Sequence, residues 1–187
     1  TPSTTSIVKA ETKPSRYSDS ADVDVRYNYY DAIPLSRQQL LPVLLQASPV
    51  TSEGKKYIGH TDWLLNWHYT TGMQNGLCRI ASVKTRVTIT YIMPRLGNSP
   101  AIPRDVTEKF NGFYARLMAH EEGHADNGVF AAREIESVLA RLPGQAECSS
   151  LQSTTQQTAN AIIEKYKQKD KDYDRLTGHG RTQGATL

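Results

Sequence analysis

The sequence lacks any long apolar run and any concentration of basic residues, and both absences limit what the protein can be. No segment of its 187 residues approaches the roughly 20 consecutive apolar residues that a membrane-spanning helix needs. Lysine and arginine are scattered along the chain and the net charge is only +3, so we expect no nucleic-acid partner. A length of 187 residues, 38% of them hydrophobic, predicts a single globular domain with its own core.

Cysteine is also scarce, since the chain contains only Cys78 and Cys148. Two reduced thiols, as in a cytosolic protein, and one disulfide, as in an oxidising compartment, are both compatible with this count. A bridge would close a loop of about 70 residues and stabilise the fold by roughly 4 kcal/mol, because it limits the entropy of the unfolded chain. Composition leaves both alternatives open.

The N-terminal segment contains little that a core could bury. Serine, threonine, lysine and proline dominate it, which predicts a flexible N-terminal arm over residues 1–20. A tether or a pairing strand is the alternative for this segment. The remaining residues, 21–187, are expected to form one domain.

Apolar and polar residues alternate in three segments, which begin at Asp22, Thr61 and Cys78. The residues expected on the buried face are Val23, Val25, Tyr27 and Tyr29, then Trp63, Leu65, Trp67 and Tyr69, then Val83, Thr85, Val87, Ile89 and Tyr91. Such alternation is typical of half-buried strands, so we predict a small antiparallel sheet with one wet face. Residues 35–48 predict a short helix after the first strand, with Ser36 as its N-cap.

The period of apolar residues changes to about 3.6 after Pro103, which fits the first turn of a helix. We predict one long helix over residues 104–142, ended by the sequence PG, and a second helix that returns from about Ser150. Residues 178–187 are expected to be loop. Because the strands come first and the helices second, the predicted fold class is α+β.

The long helix contains the sequence HEEGH at residues 120–124, which has the form H-E-x-x-H. Residues four apart lie one above the other on a helix, so His120 and His124 can bind the same zinc ion. Glu121 is the candidate general base, because zinc lowers the pKa of a water molecule toward 7 and a nearby carboxylate can take its proton. The alternative is that these are ordinary polar residues on a helix face.

Two details of the surrounding helix favour the metal site. Both histidines lie on the stripe that also carries Phe113 and Leu117, so they point toward the core, where an imidazole needs a partner. Gly123 and Gly128 lower the helix propensity and indicate that another group approaches the helix closely.

A catalytic zinc site needs a third protein ligand. The longer pattern H-E-x-x-H-x-x-G-x-x-H does not supply it, because Asn127 and Phe130 stand where glycine and histidine are required. If the helix continues to residue 142, Glu134 and Glu136 lie roughly 15 to 18 Å from the motif along the helix axis. They would become candidates again only if the helix broke at Gly128.

The returning helix is the better source of the third ligand. Starting near Ser150, it needs about 18 residues to come level with His124, which brings the segment KDYDRLTGHGRTQG to the motif. Within this segment His179 is the predicted third ligand. Asp172 and Asp174 are alternative ligands, or acceptors that orient an imidazole.

Four other residues complete the predictions for the site. Tyr173 or Tyr114 is predicted to donate a phenolic hydrogen bond to the oxyanion that forms during hydrolysis. The two remaining histidines, His60 and His68, are expected to be ordinary surface residues.

Three parts of the sequence together resemble one bacterial family. The parts are HEEGH, a cysteine shortly after the long helix, and the terminal YDRLTGHGRTQGA, and the resemblance covers roughly residues 22–186. The family is the domain of unknown function 922, whose members are described as predicted secreted zinc-dependent proteases. The resemblance implies a periplasmic or secreted protein, a disulfide between Cys78 and Cys148, and a place for His179 beside His120 and His124.

The favoured hypothesis is a small zincin-like metallopeptidase that uses Zn²⁺ to hydrolyse a peptide or protein substrate. We expect it to act as a monomer, with a cell-envelope protein as a possible partner. The first rival is zinc-dependent hydrolysis of a non-peptide target, such as a cell-wall amide or a lipid ester. The second rival is a non-catalytic binding module with a structural metal, in which a fourth protein ligand such as Asp172 or Asp174 replaces water.

Overall fold

The computed structural model describes residues 14–20 and 22–187. Its main elements are β1 (Val23–Ala32), α1 (Leu40–Ala47), β2 (Thr51–Ser52), β3 (Lys55–Lys56), β4 (His60–Gln74), β5 (Leu77–Leu96), α2 (Arg104–Ala140) and α3 (Cys148–Thr177). Two short 3-10 turns, Arg37–Gln39 and Arg181–Gln183, precede α1 and follow α3. The predicted α+β class is confirmed.

The three long strands form a mixed sheet with the order β1-β5-β4. β4 pairs antiparallel with β5, where Trp63 lies opposite Ile89, but β1 pairs parallel with β5, where Val25 lies opposite Ile89. The prediction of an antiparallel sheet was therefore wrong for β1. Alternation of apolar residues reports which face of a strand is buried and contains no information on the direction of its neighbour.

A tight hairpin joins β4 to β5. Its two central residues, Asn75 and Gly76, have φ values of 51° and 74°. Two consecutive positive φ angles match the right-handed twist of the flanking strands, and asparagine followed by glycine adopts them at low cost. Among the described residues, β4 has β5 as its one strand neighbour, so β4 is an edge strand of the sheet.

The buried face of the sheet packs against α2, and the predicted alternation is confirmed on all three strands. The buried apolar residues of this face include Trp63, Leu65, Val87, Ile89, Tyr91 and Met93. They meet an apolar stripe of α2 that consists of Val106, Phe110, Phe113, Tyr114, Leu117, Val129 and Ile135. This packing decides which side of α2 faces the sheet, and the H-E-x-x-H residues lie on that buried side.

α2 is one continuous helix through Gly128. The distance argument against the two glutamates therefore holds: Glu134 pairs with Lys165, and Glu136 accepts a hydrogen bond from Thr85. The helix begins one residue after Pro103, at Arg104, and ends at Ala140. In the part of the chain that the structure describes, no helix is long and apolar enough to cross a membrane.

α3 packs antiparallel to α2, so that late residues of one helix meet early residues of the other. His124 contacts Asp170, whereas Glu134, further along α2, contacts Lys165, earlier on α3. A disulfide between Cys78 and Cys148 joins the start of β5 to the first residue of α3. The bridge implied by the family resemblance is thus present, and it ties the first residue of α3 to β5.

The last residues of the predicted arm lie against the domain. Ser15 is buried and its N–H donates to the hydroxyl of Tyr27 at 2.6 Å. Arg16 forms ion pairs with Glu122 and Asp126 of α2. Residues 1–13, which make up most of the predicted arm, lie outside the described residues.

Candidate metal centre

The two histidines of the H-E-x-x-H motif converge on one carboxylate oxygen. His120 and His124 lie one turn apart on α2 and are only 2% and 7% exposed. Their Nε2 atoms lie 3.1 and 2.9 Å from the Oδ1 atom of Asp174 on α3. The ligand atoms of these three residues lie within 4.8 Å of one another. Sequence reasoning placed Asp174 at the site as an alternative ligand, and the structure brings it there.

Hydrogen bonds to the other ring nitrogens fix the tautomer of both histidines. The Nδ1 atom of His120 lies 2.7 Å from Oε1 of Gln183, and the Nδ1 atom of His124 lies 3.1 Å from Oδ1 of Asp170. Both partners are acceptors, so each Nδ1 carries a hydrogen. In a neutral imidazole the Nε2 atom then presents a lone pair. Two lone pairs cannot face the carboxylate of Asp174 unless positive charge lies between them.

A proton on His124 supplies positive charge at this position. Burial alone would lower the pKa of His124, but hydrogen bonds to Asp170 and Asp174 outweigh it and raise the pKa to about 10. Burial alone would raise the pKa of Asp174, but hydrogen bonds from His120 and His124 hold it well below its usual range. A divalent cation is attracted by the same atoms and can replace this proton.

Two of the three donor separations are close to those around a tetrahedral zinc ion. Ligand atoms on a tetrahedral zinc ion with bonds of about 2.0–2.1 Å lie roughly 3.3 Å apart. The separations of 3.1 Å for His120 to Asp174 and 2.9 Å for His124 to Asp174 are close to this value. Two imidazoles and one carboxylate form a ligand set that catalytic zinc sites use.

His179 lies beside the same carboxylate but is less enclosed. Its Nδ1 atom is 3.6 Å from Oδ1 of Asp174, its side chain is 50% exposed, and its ring lies against Tyr57 with 4.6 Å between the ring centroids. The chain turns sharply here, because Gly178, His179 and Gly180 all have positive φ. This backbone region is costly for a residue other than glycine, and such strain is often found at functional sites. All three predicted histidines therefore surround one oxygen of Asp174.

The predicted general base, Glu121 of α2, is hydrogen-bonded to the start of β4. Glu121 is 3% exposed, and its Oε2 atom accepts a hydrogen bond of 2.6 Å from the hydroxyl of Thr61. Its other oxygen packs below Gly59, where a Cβ atom would lie only 3.0 Å away. The charge of Glu121 contributes to the raised pKa of His124, so the two side chains share one electrostatic environment.

A cavity of about 290 Å³ opens beside these residues. His120, Glu121, His124, Asp174 and His179 line one part of it. The apolar residues that line it include Leu45, Val50, Ile58, Phe113 and Leu117, and Lys56 and His60 are also in the lining. The donor atoms and the carboxylate of Glu121 thus belong to residues that line one cavity.

The two predicted tyrosines do not line this cavity. The hydroxyl of Tyr173 donates to the backbone carbonyl of His120 at 3.0 Å, and its ring stacks on the His120 ring with 4.9 Å between the centroids. Tyr114 is buried in the core against Phe110. The oxyanion role of Tyr173 stays a prediction, and the geometry shows a different contact, the support of His120.

Sequence reasoning missed two acceptors that hold the histidines. The first is Asp170. It lies four residues before Asp174 on α3, just as His120 lies four residues before His124 on α2, and this matching interval was visible in the sequence. Asp172 lies between them, and its carboxylate instead bonds to Arg175 and Gln168.

The second missed acceptor, Gln183, carried no signal in the sequence, because its position depends on the turn after α3. The other two histidines are both exposed, as predicted, although His60 begins β4 at the rim of the cavity. His68 does not line the cavity.

Side chains from other elements approach the two glycines of the motif region closely, as predicted. A Cβ atom at Gly123 would overlap the hydroxyl end of Tyr173, and a Cβ atom at Gly128 would lie 2.7 Å from Cγ of Trp63. Both rings therefore contact the backbone of α2 directly.

Replacing Gly128 with alanine should destabilise the fold, because the added methyl group would overlap the ring of Trp63. We expect the variant to be less stable than Gly112→Ala by about 1–3 kcal/mol, the usual cost of overpacking. Gly112 is the matched control, because it lies on the same helix and a Cβ atom there would meet only the end of Arg116 at 3.5 Å. Urea unfolding of the two variants measures the difference, and equal stability would contradict tight packing of Trp63 on α2.

The fold and the site define an α+β protein with a candidate metal centre of the H-E-x-x-H type. A family model described as a bacterial protein of unknown function (DUF922) matches residues 27–180. The match spans most of the chain, so the protein belongs to this family, and the resemblance seen in the sequence is confirmed. No curated protein and no solved structure matches the chain.

Proposed function

We propose that the protein is a zincin-like zinc hydrolase and that its substrate is a peptide bond. One observation carries the proposal: the Nε2 atoms of His120 and His124 converge on one point, and the buried carboxylate of Glu121 lines the same cavity. A buried pair of histidines with fixed tautomers and an adjacent carboxylate is the arrangement that metal-assisted hydrolysis requires.

His120, His124 and Asp174 would hold the ion, which supplies an acidified water molecule and polarises the carbonyl group of the substrate. Glu121 would accept the proton of the attacking water and pass it to the leaving amine. Thr61 keeps the carboxylate of Glu121 in position through its 2.6 Å hydrogen bond. We prefer Asp174 to His179 as the third ligand because it contacts both other ligands and is less exposed.

His179 is then free for a second task. Its half-exposed ring lines the cavity next to Asp174, where it would donate a hydrogen bond to the developing oxyanion. This role replaces the one that sequence reasoning assigned to a tyrosine, since neither tyrosine lines the cavity.

The edge strand favours a peptide over other substrates. Extended peptides commonly pair with an exposed strand edge, where backbone hydrogen bonds supply affinity. β4 is such an edge, and its first two residues meet the site: His60 lines the cavity, and Thr61 binds Glu121. The disulfide is compatible with an oxidising compartment, and we propose a periplasmic or secreted location.

A structural metal in a non-catalytic module is the second candidate, and one observation favours it. All three imidazoles surround the same carboxylate oxygen, at 3.1, 2.9 and 3.6 Å, so four protein ligands could enclose an ion without leaving room for water.

The decisive experiment loads the purified protein with zinc and incubates it with a complex mixture of peptides. We expect new peptide termini, detected by mass spectrometry, that disappear after chelation and return when zinc is restored. Tightly bound zinc without cleavage of peptides would sink the peptidase proposal. In that case hydrolysis of a cell-wall amide or an ester would support the other hydrolase, and no hydrolysis would support the structural metal.

A further inference from the structure

One carboxylate on α3 connects the sheet to the metal centre. Asp170 accepts hydrogen bonds through Oδ1 from Nδ1 of His124 at 3.1 Å and from the amide of Asn127 at 2.7 Å. Its Oδ2 atom accepts a hydrogen bond of 2.6 Å from the indole N–H of Trp63 on β4. Both oxygens are therefore engaged, and the plane of the carboxylate is fixed from two sides.

The indole of Trp63 is itself held in place. The side chain is buried, and its ring lies against the backbone of Gly128 on α2. The ammonium group of Lys167 on α3 lies over the ring, 4.8 Å from its centroid. Because the ring is wedged between the two helices, its N–H has little freedom to point elsewhere.

The same strand also donates a hydrogen bond to the predicted base, Glu121. Thr61 and Trp63 are two residues apart, so their side chains lie on the same face of β4, toward α2. Thr61 binds Glu121, and Trp63 binds the carboxylate that supports His124. A single edge strand thus contacts both halves of the candidate centre.

We propose that Trp63 is a positioning residue of the metal centre. It acts through Asp170, which keeps the Nδ1–H of His124 engaged and directs Nε2 toward the ion. Without the indole N–H, Oδ2 of Asp170 loses its partner and the carboxylate gains rotational freedom, so His124 is less well oriented for binding. The inference rests on the metal-binding part of the proposed function and does not require hydrolysis.

Trp63→Phe tests this proposal, because it keeps an aromatic ring and removes the N–H. We expect the zinc affinity of the purified protein, measured by competition with a chromophoric chelator, to fall about 10- to 100-fold, as when other outer-shell partners of zinc ligands are lost. The absorption spectrum of the cobalt-substituted protein should change as well. Trp67→Phe is the matched control on the same strand and should leave both readouts unchanged.

A double variant separates positioning from a merely structural role. If Trp63 acts through Asp170, then Trp63→Phe combined with Asp170→Ala should bind zinc no more weakly than Asp170→Ala alone. If the phenylalanine variant does not fold, 3-benzothienylalanine at position 63 removes the N–H and retains the shape of the indole.

The outcomes separate this inference from the proposed function. Unchanged zinc affinity in the isostere or the phenylalanine variant, or fully additive losses in the double variant, would overturn the role of Trp63 while the zinc site stands. A wild-type protein that binds no zinc would overturn both.

Discussion

Glu121→Gln is expected to reduce turnover by about 10²- to 10⁴-fold while zinc remains bound, because the amide cannot accept the proton of the attacking water. The substitution conserves the shape of the side chain, and Thr61 can still donate its hydrogen bond to the remaining oxygen. Zinc content by elemental analysis and the rate of peptide cleavage therefore report on different groups. Retained activity would rule out Glu121 as the base.

Glu122→Gln is the matched control for this substitution. Glu122 is the next residue of α2 and is also buried, but its carboxylate pairs with Arg16 of the N-terminal segment. It does not line the cavity. We expect the control to retain both zinc and turnover, so a loss in both variants would indicate a general disturbance of α2.

Asp174→Ala is expected to lose zinc on dialysis, whereas His179→Ala should retain zinc and lose turnover by about 10²- to 10³-fold, the usual effect of removing one oxyanion donor. The reason is geometric: Asp174 contacts the Nε2 atoms of both His120 and His124, whereas the imidazole of His179 contacts, of these three residues, Asp174. Elemental analysis of each dialysed variant measures the first effect, and peptide cleavage measures the second.

Asp172→Ala provides the control, since Asp172 lies on the same helix and its carboxylate bonds to Arg175 and Gln168. It should retain zinc and turnover. If His179→Ala loses zinc and Asp174→Ala keeps it, the three-histidine site predicted from the sequence is the correct one. If both lose zinc and the wild type cleaves no substrate, the closed structural site is favoured.

The local patterns of the sequence were sufficient for most of the elements. Alternation located β1, β4 and β5, and the 3.6-residue period located α2 and α3. Ser36 caps the turn before α1, because its Oγ accepts a hydrogen bond from the backbone N–H of Gln39. These features depend on neighbours within a few residues, which a single sequence contains. The short hairpin of β2 and β3 was missed, because two-residue strands are too short to show a period.

The ligand set could be predicted only in part. The interval between His120 and His124 is a property of one helix, so both histidines could be assigned from the sequence. The choice between Asp174 and His179 depends on how α3 is rotated about its axis and how sharply the chain turns at Gly178. The length of a helix predicts which segment lies near the site. It does not predict which side chain of that segment faces the candidate metal centre.

The sequence by itself determined the H-E-x-x-H pair, the α+β order and the return of α3 to the motif, because each follows from helix and strand periods and from the rise per residue. Only the tertiary structure decided that β1 runs parallel to β5, that Asp170 and Gln183 hold the histidines, and that Trp63 contacts Asp170. These contacts join residues 46 to 107 positions apart in the chain. Their partners are set by the packing of β4, α2 and α3 around one core, which no local pattern encodes.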